Sequence, residues 1–168
     1  MKSYKKYKFR KYDKKYPQLF KREKIKLKRI LGNNAVIEHI GSTAVPGLGG
    51  KGVIDILIAV LKKDINKIRG KLEKAKYLLS KSGGGIDRLF FTIDYRYGGN
   101  VRRVHIQLTL LNSHVHKEYI RFRDRLISDK KYFKKYVDIK KKGVKVAKNE
   151  GKIYRKYKEK FIKSLLQS

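Results

Sequence analysis

Apolar and polar positions change period several times along this chain, and each change marks an element. Leu19, Phe20, Ile25, Leu27, Ile30 and Leu31 follow a helical spacing after Tyr16, and Pro17 suits an early helical position. Gly32-Asn33-Asn34 stops this helix. Two continuous apolar runs follow, Ala35 to Ile40 and Val53 to Leu61, and both read as buried strands. Helical spacing returns over 64–79 through Ile65, Ile68, Leu72, Ala75 and Leu79. Ser82-Gly83-Gly84-Gly85 reads as a flexible link. A strand is predicted from Arg88 to Tyr95, then a turn at Tyr97-Gly98-Gly99-Asn100, then a returning strand from Val101 to Leu111. From Ser113 onward the spacing is helical, over 115–128, 130–148 and 151–166, with Gly143 and Gly151 as interruptions. This order predicts one α+β domain over residues 1–168, α/β-like in character. It has a small mixed β-sheet, flanking helices and a helical C-terminal half.

Charge changes the picture more than any other compositional feature. The chain of 168 residues holds 46 Lys and Arg against 14 Asp and Glu, a formal net charge of +32. Such a surface attracts polyanions and repels itself at low salt. RNA, DNA, ribosomes and anionic membrane are the obvious partner classes, and composition alone does not choose among them. A compositional or thermophile bias explains the same excess equally well. Residues 1–15 interleave basic residues with Tyr4, Tyr7, Phe9 and Tyr12. This arm either packs its aromatics on the domain or stays mobile and offers charge plus stacking to a nucleic-acid strand. There is no cysteine, which removes disulfides, thiol nucleophiles and cysteine zinc sites. No signal peptide and no apolar run long enough for a membrane span is visible, so a cytoplasmic protein is expected.

The richest stretch runs from Glu38 to Ile56. A strand feeds the turn Gly41-Ser42-Thr43, a Gly-rich connection through Pro46, Gly47, Gly49 and Gly50 follows, and the next strand carries Asp55 within an apolar run. Small residues and backbone N–H groups thus come beside a carboxylate on a neighbouring strand. Phosphate chemistry uses such a layout, with a tight turn for the anion and an acid for a metal ion. The competing reading makes Ser42 a cap of a short helix and pairs Asp55 with Lys51, Arg88 or His105. Glu38 and His39 alternate on one strand, so only one of them can face a pocket beside Ser42. His105 and Gln107 share a face of their own strand by the same period.

The segment Glu38-His39-Ile40-Gly41-Ser42-Thr43-Ala44-Val45-Pro46-Gly47-Leu48, followed by Lys51 and Ile54-Asp55-Ile56, resembles the GrpB family of the nucleotidyltransferase superfamily. Phe122-Arg123-Asp124-Arg125-Leu126, Tyr136 with Lys140, and Tyr154 with Tyr157-Lys158 and Phe161 resemble its later helices. The resemblance implies a nucleotidyltransferase-type fold and a transferase-like site that binds a nucleotide or another phosphorylated small molecule. Asp55 and Ser42 would act in any phosphoryl or nucleotidyl transfer. Gly41, Ser42, Thr43, Lys51 and Arg88 would meet phosphate, and Asp55 with His105 would meet a metal ion, Mg²⁺. Two positions depart from the superfamily pattern. Leu57 stands where a second acid is common, and Gln107 where the family tends to place a second histidine. A two-ion clamp is therefore not visible, and catalysis stays open. The alternative is a non-catalytic, RNA-binding basic module on the same fold.

Five further assignments follow from position. Pro46-Gly47 shapes a turn. His114 and His116 are surface residues at a helix start. Arg102 and Arg103 are solvated or part of a general anion surface. Arg123-Asp124-Arg125 form helix-surface ion pairs or a structural bridge. Lys140-Lys141-Lys142 is a solvated face.

Overall fold

The computed structural model describes residues 9–81, 83–85, 87–147 and 151–167. Helix α1 (Tyr16–Leu31) leads into β1 (Val36–Ile40) and β2 (Ile54–Val60). Helix α2 (Ile65–Lys74) and the short β3 (Leu78–Leu79) come next, followed by the hairpin of β4 (Arg88–Tyr97) and β5 (Asn100–Leu110). Helices α3 (His114–Ser128), α4 (Lys130–Ala147) and α5 (Gly151–Gln167) complete the chain.

The strands form one sheet in the order β1-β2-β5-β4-β3. Only β2 and β5 run parallel; the other neighbouring pairs are antiparallel. A parallel pair needs a crossover, and residues between β2 and β5, including α2, provide it. The α+β expectation with a small mixed sheet therefore holds, as does the helical C-terminal half.

Alternation along the strands sorts the sheet into two unlike faces. One face carries Ile37, Ile54, Ile56, Ile58, Val60, Val104, Ile106, Leu108 and Phe91, all buried against α1 and α2. The register places Asp55 opposite Ile40 on β1 and opposite His105 on β5, and Leu57 opposite Gln107. The second face thus holds the polar side chains. Its cover is a second cluster of Val45, Leu48, Leu126, Tyr136 and Phe161, drawn from the β1–β2 connection and from α3, α4 and α5.

Several local expectations are corrected. Helix α2 ends at Lys74, not at residue 79: Lys76 takes a left-handed φ of 68°, and Leu78–Leu79 pair with β4 instead. In α1 the inward stripe is Leu19, Glu23 and Leu27, with Ile25 on the exposed side. Glu23 is buried because Tyr77 donates its hydroxyl to it, tying α1 to the residue before β3. Gly143 does not interrupt α4. It lies inside that helix, where a Cβ would stand 3.4 Å from the Tyr154 ring.

The N-terminal segment from Phe9 packs on the domain. Arg10 exchanges two backbone hydrogen bonds with Gly50, at 2.7 and 2.9 Å. Tyr12 meets Tyr16 edge to face at 5.3 Å. Tyr4, Tyr7 and Ser82 lie outside the described residues.

Candidate functional site

Between the polar sheet face and α3, α4 and α5 lies a cavity of about 580 Å³. That is within the usual size of small-ligand pockets, roughly 300–1,000 Å³. Its centre is the cross-strand pair Asp55 and His105. The Asp55 carboxyl accepts a hydrogen bond from His105 Nδ1 at 3.1 Å, and its side chain keeps 27% of its accessible surface. Burial pushes this carboxyl upward. The hydrogen bond and charge of His105, then Lys51 and Lys158, outweigh burial and hold it below the ordinary range. An ionised carboxylate only accepts, so His105 must carry its proton on Nδ1.

The turn after β1 lies directly against this carboxylate. Gly41 has φ +70°, and a Cβ there would sit 2.5 Å from Asp55 Oδ2. Glycine is thus required twice over, for the backbone and for the space. Ser42 opens a 3-10 turn, Ser42–Ala44, whose cap is Gly41 and receives no side-chain hydrogen bond. Ser42 is therefore not a helix cap; its side chain stands at the cavity wall.

Thr43, expected at phosphate, does not reach the cavity. Its hydroxyl donates to Val53 O at 3.1 Å and so must accept from His39 Nε2 at 3.0 Å. His39 also stacks on Phe20 at 4.4 Å. Burial first, with Arg123 adding and Asp55 opposing, lowers its pKa to about 4, so the ring is neutral at pH 7. Of the alternating pair, Glu38 shares the Asp55 face but is taken by Arg123, which donates to Glu38 Oε2 at 2.8 Å and to His39 O at 3.0 Å. Arg123 is a bridge from α3 to β1.

Positive charge surrounds the carboxylate. Arg88 lines the cavity and donates to Gln107 Oε1 at 2.8 Å and to the Tyr119 hydroxyl. Lys51 and Lys158 lie over the Tyr154 ring, 5.3 and 4.9 Å from its centroid. Lys140, assigned to a solvated face, is 3% exposed and lines the same cavity. It donates to Gly49 O at 2.8 Å. Gly50 makes this possible: a Cβ there would stand 2.5 Å from Lys140 Nζ and 2.6 Å from Ser42 Oγ. Lys141 and Lys142 are exposed as expected.

Sequence reasoning did not bring Tyr119 to the site, and it named Lys140, Lys158 and Tyr154 only as matches to the family's later helices, not as cavity residues. A usable signal existed: Tyr136, Lys140, Gly143 and Ala147 fall on one helical stripe, and all four are buried. Arg102 and Arg103 are also corrected from solvated to paired. Arg103 grips Asp94 with two bonds of 2.7 Å, and Arg102 approaches Asp13 at 3.5 Å. His116 accepts from Asn112 N at 3.1 Å, and the exposed His114 pairs with Glu118 at 3.0 Å.

The donors do not fit a resident metal centre. Among the described residues, no three of His, Cys, Asp and Glu are placed to share an ion. The next position on the Asp55 face of β2 is Leu57, fully buried. Asp55 by itself offers a single carboxylate. Mg²⁺ accepts such a ligand when substrate phosphates supply others.

Fold and site together define a mixed α+β protein with a cationic cavity on the polar face of its sheet. The GrpB protein family profile matches residues 6–168, and the chain belongs to the GrpB family. It is 31% identical over 132 residues to the UPF0157 protein YqkA of Bacillus subtilis, covering 77% of this chain and 37% of that protein. A UPF0157 protein of Halalkalibacterium halodurans is 46% identical over 70 residues, 40% of this chain and 36% of that protein. The matches thus span little more than a third of these two relatives. The glutamate-rich protein GrpB of Alkalihalophilus pseudofirmus is 29% identical over 154 residues, with 90% of this chain and 88% of that protein covered. The crystal structure of the conserved protein GrpB from Enterococcus faecalis superposes with a TM-score of 0.79 at 23% identity, covering 95% of each chain, a likeness of fold. No helix among the described residues is long and apolar enough to cross a membrane.

Proposed function

We propose that the cavity binds a nucleotide or another phosphorylated small molecule, in the manner of the nucleotidyltransferase superfamily. One observation carries the reading. The cavity is lined by Lys51, Lys158 and Arg88, by the Gly41–Ser42 turn, and by two carboxylates, Asp55, which is ionised, and Glu118, which pairs with His114. Such an excess of fixed positive charge in a partly desolvated space favours a ligand with several negative charges. Phe90, Phe122 and Tyr154 supply apolar wall for an organic part. Mg²⁺ belongs to this proposal only as a companion of the ligand's phosphates, with Asp55 as its protein ligand. Any chemistry would then be phosphoryl or nucleotidyl transfer, carried by positioning and charge neutralisation. A cytoplasmic location belongs to the same proposal.

The test is a thermal-shift titration with nucleoside triphosphates, with and without Mg²⁺, on wild type and Asp55→Ala. The expected result is a ligand-dependent rise whose Mg²⁺-dependent part disappears in Asp55→Ala, while the folded baseline persists. Absence of any shift in the wild type would sink the reading.

The net charge of +32 supports a second reading, a basic RNA-binding surface. Lys130, Lys131, Lys134, Lys135, Lys141 and Lys142 on α4 are consistent with it, all being exposed. RNA binding would weaken steeply with salt. It would be indifferent to Mg²⁺ and unharmed by Asp55→Ala.

A further inference from the structure

The phosphate reading leaves one buried group without a task. Lys140 reaches from α4 into the cavity wall and is 3% exposed. Its nitrogen has a single protein acceptor within hydrogen-bond range among the described residues, Gly49 O at 2.8 Å. A buried ammonium would need acceptors for three N–H groups; an uncharged amine satisfied by one carbonyl keeps its lone pair free. The groups facing it divide: Lys158 and Lys51 favour the amine, and the Tyr136 ring face and the Asp55 carboxylate favour the ammonium. Tyr136 lies on its own helix, with the ring centroid 5.4 Å from Nζ, and Lys158 approaches from α5. Lys51 comes from the connection before β2, and Asp55 from β2 itself. Burial depresses the amine well below the usual lysine range, Lys158 adds to this, Asp55 opposes, and Lys51 adds again. A desolvated lysine beside other cations is an activated nucleophile.

We propose that Lys140 is a covalent site: its amine condenses with the carbonyl carbon of a small aldehyde or ketone that also carries a phosphate. The nitrogen adds to the carbonyl carbon. The carbonyl oxygen then leaves as water with the two amine hydrogens, and a C=N bond remains. Lys51 and Lys158 hold the phosphate beside the amine. The phosphate requirement rests on the reading proposed above; the reactive amine rests on the burial and neighbours of Lys140 itself.

Pyridoxal 5′-phosphate is a suitable probe, because it joins an aldehyde and a phosphate in a molecule that suits a cavity of about 580 Å³. The full chain is incubated at pH 7 with an equimolar amount of the probe. Borohydride then reduces the C=N bond to a stable secondary amine, and the label is located by peptide mapping. The expected label falls on Lys140 about tenfold or more above the exposed Lys141 and Lys142. It is lost in Lys140→Met and kept in Lys141→Met. A label spread over exposed lysines, with Lys140 no higher than its neighbours, overturns the proposal. The wild-type map decides this even where Lys140→Met fails to fold. Inorganic tripolyphosphate added during labelling separates the two readings. Protection of Lys140 supports both. Labelling of Lys140 without protection supports the covalent amine and counts against the phosphate site.

Discussion

His39 shows how one side chain sets the shape of the turn next to Asp55. Its neutral ring donates to Thr43, Thr43 donates to Val53, and the turn that holds Ser42 is thereby fixed to the start of β2. The ring has a pKa of about 4 in the folded chain against 6.5 when unfolded. The unfolded chain therefore binds more protons between these values. The contribution of His39 is complete above pH 6.5 and is lost as pH falls toward 4, with a slope of up to about 1.4 kcal/mol per pH unit. Chemical denaturation of wild type and His39→Gln across pH 4 to 7.5 checks this. His39→Gln keeps a donor for Thr43 and lacks the titration, so its stability should vary less with pH; parallel curves would refute the assignment. At this scale the sequence was partly legible. Alternation said that Glu38 and His39 part company, but not that Arg123, 84 residues beyond His39, would claim both Glu38 and the His39 carbonyl. Nothing local encodes a partner that distant.

At the scale of elements, a buried polar contact joins α1 to the segment between α2 and β3. Glu23 occupies a core position of α1 and accepts from the Tyr77 hydroxyl. Burial, together with the hydrogen bond and charge of Glu23, pushes the Tyr77 phenol far above its usual range. Tyr77→Phe leaves the carboxylate buried with Lys26 at 3.9 Å as its ion-pair partner. We expect a loss of about 1–3 kcal/mol in urea unfolding, the cost of stranding a buried acceptor. A loss within experimental error would mean that Glu23 turns out to solvent. The helical pattern of α1 was plain in the sequence, yet the inward residue was misread as Ile25. A charged residue is assigned outward unless its partner is known, and Tyr77 lies 54 positions away. The end of α2 was overrun for a related reason. Apolar spacing continued through Leu79, while the left-handed Lys76 and pairing with β4 ended the helix.

For the whole molecule, a net charge of +32 on 168 residues makes self-repulsion a standing cost. Salt screens exposed charges over about 10 Å at 0.1 M. The melting temperature is therefore expected to rise by several degrees between about 20 and 300 mM NaCl. A flat or falling curve would show that local ion pairs such as Arg103–Asp94 already balance the repulsion. The same charge, focused into the cavity by Lys51, Arg88 and Lys158, is what the phosphate reading uses.

The sequence by itself determined the α+β class, the element order apart from the short β3, and, through the local motif that holds Gly41, Ser42 and Asp55, the resemblance to the family. Hydrophobic period and a local motif carry that information within a few tens of residues. Only the tertiary structure decided that Asp55 pairs with His105 across the parallel β2–β5 junction, that Leu57 sits buried beside it, and that α4 turns Lys140 inward. The physical reason is that burial of a charged side chain depends on what faces it. Lys140 is far along the chain from Gly50 and Asp55 and meets them only when the C-terminal helices close over the sheet.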